Sequence, residues 1–156
     1  MPNAPVPPPG VPVLVLNGPG LGLPGLREPD VHGTDTLAGI DGLGRGTAAA
    51  LGLRADRGRG NHEAVLIDAV HEARTAHRGI VINPAGHGHT SVAVRDALAA
   101  VDLPVMEVHL SDIHRGEASR GHSHVPAVAG TVICGAGAHG HALALTHPAQ
   151  LLEDNR

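Results

Sequence analysis

The chain holds 13 histidines and 11 arginines but no lysine, tyrosine, phenylalanine or tryptophan, and this limits its chemistry. Proton transfer falls to imidazole, carboxylate or thiol groups, and the permanent positive charge that can meet an anion is guanidinium. The groups suited to such work collect behind short apolar runs. Behind Leu16 stand Asn17, Arg27 and His32, and behind Ile82 stand Asn83, His87 and His89. Glu107 lies inside the next run, followed by His109, Ser111, His114 and Arg120. Arginine grips carboxylates with two parallel bonds, Asn and Ser read hydroxyls, and His moves protons near neutrality. Such a set suits a small, anionic, hydroxylated substrate. Glu107 and His109 are two apart, so on a strand they share a face. A carboxylate there stabilises a protonated imidazole and favours a general acid.

A metal site is the competing use of so much histidine. His87 and His89, His122 and His124, and His139 and His141 are pairs whose members share a face if the chain is extended, as zinc ligands can. No cysteine pair or HExxH pattern accompanies them. A His-rich metal-binding protein therefore stays open as an alternative, while no cofactor or native metal is expected.

Elements that could position these groups follow from the apolar runs. Residues 13–16, 79–83, 104–108 and 130–134 are short and unbroken, as strands buried on both faces are. Residues 53–57 make a poor strand. Between the runs lie a weak helix over 34–51, capped by Thr34 or Asp35, a helix over 63–74 started by Asn61, and one over 91–101. A last helix over 138–145 should stop before Pro148. Strands alternating with helices predict an α/β fold with a parallel sheet, doubly wound, whose ligand lies beyond the carboxyl ends of the strands. The remaining signals read as structure. His71 and His77 should face solvent, Arg54, Arg57 and Arg59 should be solvated, and Cys134 should be a small core residue.

Composition narrows the class. The 156 residues suit one domain (11–152) between a Pro-rich leader (1–10) and a short tail (153–156). A net charge of −4 and the absence of stacking rings disfavour nucleic-acid binding. No run approaches the ~20 apolar residues of a membrane span. One cysteine and no basic n-region fit a cytoplasmic protein without a membrane partner. A core without aromatics has to be filled by Leu, Val, Ile and Ala, which bury less area each, so oligomerisation is one expected remedy.

Four stretches together resemble the type II 3-dehydroquinate dehydratases: VLVLNGPGLGLPGLREPDVHG, GNHEAVLIDAVHEA, GIVINPAGHGHTSVAVRDALAAVDLPVMEVHLSDIHRGE and GTVICGAGAHGHALAL. The resemblance implies a flavodoxin-like fold with a five-stranded parallel sheet and assembly as a dodecamer built from trimers. It implies anti elimination of water from 3-dehydroquinate through an enolate, giving 3-dehydroshikimate for aromatic amino-acid biosynthesis, with no metal and no Schiff base. By that likeness Arg27 stabilises the enolate, and His109 protonates the departing hydroxyl while Glu107 orients it. Asn83, His89, Asp96, Leu110, Ser111 and Arg120 would contact the substrate, Asp96 reaching it from a neighbouring subunit.

The chain also departs from the family pattern. The catalytic tyrosine of REP-x-x-YG is His32, and two asparagines of the first loop are Gly20 and Gly22. Aromatic positions are His87, His124 and His141, the tryptophan of IDW is Ala69, and a phenylalanine is Ser119. Imidazole, with an ordinary pKa near ~6.5, is neutral more readily than a phenol at ~10 and could serve as base, though a weaker one with a shorter reach. Two outcomes follow from that exchange: a retained reaction at reduced rate, or a fold that binds ligand without turnover. Burying Ala where a Trp belongs would cost roughly 3–5 kcal/mol, so compensation is expected if these positions lie in the core.

Overall fold

A computed structural model describes residues 9–21 and 36–154. Five strands run parallel in the order β2-β1-β3-β4-β5: β1 (Val11–Asn17), β2 (Leu53–Arg59), β3 (Ile80–Asn83), β4 (Val105–His109) and β5 (Thr131–Cys134). The helices are α1 (Leu37–Ala50), α2 (Glu63–Ala76), α3 (Gly86–Thr90), α4 (Val92–Ala100) and α5 (His139–Asp154). Two short 3-10 turns, Ala118–Arg120 and Val125–Ala127, lie between β4 and β5.

Side-chain alternation splits the sheet into two apolar layers. Leu14, Leu16, Ile80, Ile82 and Val105 pack with Leu66 and Val70 of α2 and Val94 and Leu98 of α4. Val13, Val15, Val81, Met106 and Val108 pack with Ala48 of α1 and Ala144 and Leu145 of α5. Strands β1, β3 and β4 are therefore covered on both faces, as unbroken apolar strands require. β5, expected to be buried on both faces, is instead a half-covered edge on which Val132 is exposed. No aromatic ring was needed to fill either layer. Of the positions among the described residues where the family pattern carries an aromatic, Ala69, His87 and His124 are half-buried, Ser119 is exposed, and His141 is buried. The expected deep-core cost is thus not incurred at Ser119, whereas Ala69 still packs against the α2–α4 layer.

Pro12 survives in a central strand because of where its missing N–H would point. Leu14 N–H donates to Gly79 O, and pairing with β3 begins only at Leu14. Two residues earlier, Pro12 points the same way, to a place where no ladder exists.

Several expectations need correction. The poor candidate at 53–57 is a full strand, β2, in register with all of β1 from Val11↔Leu53 to Asn17↔Arg59. It lies at the sheet edge, where charged side chains are at home; Arg59 is exposed as expected, whereas Arg54 and Arg57 are paired rather than simply solvated. Arg54 forms a two-pronged bond to Asp56 at 2.9 Å, which lowers the Asp56 carboxyl. His77, expected in solvent, is half-buried and meets Asp56 at 3.2 Å. Arg57 binds the Asp41 carboxylate and carbonyl across α1, passing Gly44, where a Cβ would lie 2.6 Å from its Nη2.

The helix starts also differ. α1 is capped by Thr36, whose Oγ1 accepts from Gly39 N–H at 3.1 Å; Thr34 and Asp35 lie outside the described residues. α2 has His62 at its N-cap, and Asn61 instead accepts from Gly20 N–H at 3.2 Å. Finally, α5 continues through Pro148 to Asp154. A proline inside a helix costs about 3 kcal/mol, but Leu145, Pro148 and Ala149 are all buried, and this packing outweighs the local penalty. Among the described residues, no helix is long and apolar enough to cross a membrane.

Candidate active site

The strand order reverses between β1 and β3, and in open α/β sheets the carboxyl ends at such a point are where ligands bind. Asn17 and Asn83 end the two strands there, side by side in register. The backbones that leave the strands stay close: Gly18 N–H donates to Asn83 O at 2.8 Å, and a Cβ on Gly18 would sit 2.4 Å from Pro84 O. Only glycine fits there. Asn83 Oδ1 accepts from Ala85 N–H at 3.2 Å, which leaves the Nδ2 group as the donor able to meet a ligand. Ala85 itself has φ 50°, a left-handed conformation that a non-glycine residue adopts at a cost, and strain of this kind concentrates at functional sites.

Beyond Ala85 the chain forms α3, a short helix that the sequence reading did not contain. It places His87 and His89 about 200° apart around the axis, so they do not share a face. His87 Nε2 meets Asn61 O at 3.3 Å, while His89 Nδ1–H donates to His122 O at 2.6 Å. His139 is exposed whereas His141 is buried, so that pair is split as well. His122 stands edge-on to His124 with ring centres 5.1 Å apart, without a third ligand grouped beside them among the described residues. Among the described residues, no three His, Cys, Asp or Glu are grouped as metal ligands.

β4 does place Glu107 and His109 on one face, alongside Val105. Both are buried, Glu107 completely. His109 Nε2–H donates to Glu107 Oε1 at 2.7 Å. The same oxygen accepts the Ser123 hydroxyl at 2.5 Å, while Oε2 is buried without a partner in the described residues. With its Nε2 committed to the carboxylate, neutral His109 carries its lone pair on Nδ1, and protonated His109 offers an Nδ1–H. The ring of His89 stacks on it, centres 6.0 Å apart and planes 22° apart. Two imidazoles, one of them backed by a carboxylate, can deliver a proton and hold a hydroxyl in one place.

The remaining expected residues are distributed unevenly. Leu110 is buried and Ser111 half-buried, directly after β4 at the same edge. Arg120 ends the first 3-10 turn with its side chain half-exposed, and Glu117 lies 3.9 Å from its Nε. Asp96 is not brought to the site within this chain. It is 61% exposed on α4 and is bonded by Arg95 at 2.9 Å. Arg27 and His32 lie outside the described residues.

Three participants were missed. Ser123 could have been sought from the fact that a Glu inside an apolar run needs donors, and His109 supplies only one. Asn61, expected as a local cap, instead touches both Gly20 and His87. Gly88 makes room for the next segment: a Cβ there would lie 2.8 Å from Pro84 Cγ and 3.2 Å from Ser123 Oγ. Cys134, at the end of β5, is half-buried, and burial pushes its thiol up and away from nucleophilic use.

The sequence matches the profile of the Dehydroquinase class II family over residues 11–149. A 3-dehydroquinate dehydratase of Methylobacterium radiotolerans is 50% identical over 139 residues, covering 89% of this chain and 93% of that one. A 3-dehydroquinate dehydratase 2 of Pseudomonas aeruginosa is 53% identical over 141 residues, covering 90% and 95%. The crystal structure of a type II dehydroquinase from Propionibacterium acnes superposes with a TM-score of 0.85 at 37% identity, covering 89% of this chain and 96% of that one. With its reversed strand order, its buried Glu107–His109 pair and these likenesses along nearly the whole fold, the chain belongs to the type II dehydroquinase family.

Proposed function

We propose that the protein removes water from 3-dehydroquinate to give 3-dehydroshikimate, the dehydratase step of the shikimate pathway. The observation that carries the reading is the buried Glu107–His109 pair, which presents Nδ1 of His109 beside His89 at the carboxyl edge of the sheet. Removal of a proton next to the ketone forms an enolate, and the enolate then expels the hydroxyl two carbons away. His32 takes the first proton, and Arg27 neutralises the enolate. His109, oriented by Glu107, gives its Nδ1 proton to the departing oxygen, so that water leaves. Asn83 and His89 hold hydroxyls, Leu110 and Ser111 take the carboxylate, and Arg120 grips the ring from the 3-10 turn. No cofactor enters these steps.

Asp96 completes the set only across a subunit contact. Its exposure on the outer side of α4 supports assembly of copies of this chain, as in a dodecamer of trimers. A biosynthetic role of this kind fits the cytoplasm, and residues 11–152 act as one domain.

The test is product absorbance from about pH 5 to 10 for the wild type, His32→Ala and His109→Ala. The expected result is turnover that rises through an imidazole range near ~6.5 and is lost by about 100-fold or more in both variants. Activity unchanged in His32→Ala would remove His32 from the base role. Substrate binding without turnover by folded wild type would favour the second reading, which the Tyr-to-His32 exchange and Gly20 and Gly22 support.

A further inference from the structure

Ser123 lies buried beside the acid pair and holds none of the roles above. Its hydroxyl donates to the one oxygen of Glu107 that also receives His109 Nε2–H. Val125 N–H donates to the serine oxygen at 3.3 Å, which directs the hydroxyl proton toward Glu107. The carboxylate is therefore oriented entirely through Oε1, by two donors from different segments. A glutamate side chain without the second donor is free to turn about its terminal bond and to tilt away from the ring.

Its neighbours in sequence act on the same spot. His122 O receives His89 Nδ1–H, and His124 N–H donates to Gly88 O at 2.8 Å. One tripeptide thus fixes α3, the His89 ring and, through Glu107, the His109 ring. We infer that Ser123 is a positioning residue for the acid: by holding the Glu107 carboxylate, it keeps His109 in the tautomer whose Nδ1 faces the substrate. The kinetic part of this inference rests on the dehydratase reading; the structural part does not.

Two measurements on the full-length protein test it. Long-range proton–nitrogen spectra of histidine-labelled protein report the His109 tautomer. In the wild type the Nε2–H form is expected alone, and Ser123→Ala should add the Nδ1–H form. In turnover, Ser123→Ala should lower kcat by about 10- to 100-fold, the value of a hydrogen bond to a charged group, with KM changed less than about threefold. Made on top of Glu107→Gln, the same change should cost no more than about twofold. Ser123→Cys keeps the volume with a weaker donor and should fall between. An unchanged tautomer, or an equal kcat loss in both backgrounds, overturns the inference. Wild type that is folded but inactive counts against the dehydratase reading instead, and the tautomer result then decides the inference alone.

Discussion

Two buried histidines stand at the same end of the sheet on opposite faces, and their surroundings suit them to opposite tasks. His109 faces the α2–α4 layer with a carboxylate at 2.7 Å, which a hydroxyl steadies in turn. His141, on α5, faces the α1 layer, where its Nε2–H donates to Asn17 Oδ1 at 3.2 Å. Its Nδ1 is buried without a partner in the described residues. Burial first, and the nearby Arg57 charge second, push this imidazole down to about 4. His141 thus has a neutral amide as its partner and is a core residue, whereas His109 has a carboxylate for its partner. The family pattern has an aromatic ring at the place of His141, and a neutral imidazole is what can replace one there.

Converting the first environment into the second should have the largest effect. Glu107→Gln leaves an amide oxygen for both His109 and Ser123, so the fold is kept while the counter-charge is lost. The expected outcome is a kcat lower by about 100-fold or more, with little change in thermal midpoint. Initial rates beside a melting curve check this. An unchanged kcat would break the comparison at its active end.

The second environment speaks through stability. The folded state holds His141 near 4, well below the ~6.5 of an unfolded chain. Between these values the unfolded chain binds a proton that the folded one does not, so stability is full above about pH 6.5 and falls as pH drops toward 4. The loss attributable to His141 is about 3 kcal/mol. Urea unfolding at several pH values measures it. His141→Gln, which keeps a donor for Asn17 but cannot ionise, should flatten this part of the curve. Asn17→Asp should flatten it too, because a carboxylate partner lets His141 stay protonated when folded. A slope that persists in both variants would place its origin elsewhere.

The contrast also shows what the sequence could reveal. Runs such as VLVL, IVIN and VMEV are short, Val- and Ile-rich and bounded by turn residues, so they read as strands buried on both sides, and the two-residue spacing puts Glu107 beside His109 once β4 is a strand. Those relations are local. β2 was obscured because an edge strand tolerates arginines that pair with Asp41 and Asp56, partners from α1 and from β2 itself. α5 outran its proline because burial against the sheet outweighed a local penalty. The positions of Ser123 and Asn61 depend on contacts between segments distant in sequence: Ser123 to Glu107 spans 16 residues, and Asn61 to Gly20 spans 41. Periodicity carries no record of such contacts. His141 is the instructive case, since as one member of an apparent ligand pair it looked like chemistry, and its burial against Asn17 makes it structure.

A smaller change separates the chemistry of the α2–α4 side from its stability. Ser91 caps α4 by accepting Val94 N–H at 2.9 Å, and its hydroxyl donates to Glu63 of α2. It ends α3, the helix that carries His89, yet touches neither imidazole ring. Ser91→Ala removes the cap and should cost about 1 kcal/mol of stability, read as a shift in urea midpoint. Because α3 is held from its other side by His124 N–H on Gly88 O and by His89 on His122 O, kcat should stay within about twofold. A kcat loss as large as that of Glu107→Gln would mean that the cap, and not the tripeptide 122–124, sets the position of His89. The two faces of the sheet would then differ less than their hydrogen bonds imply.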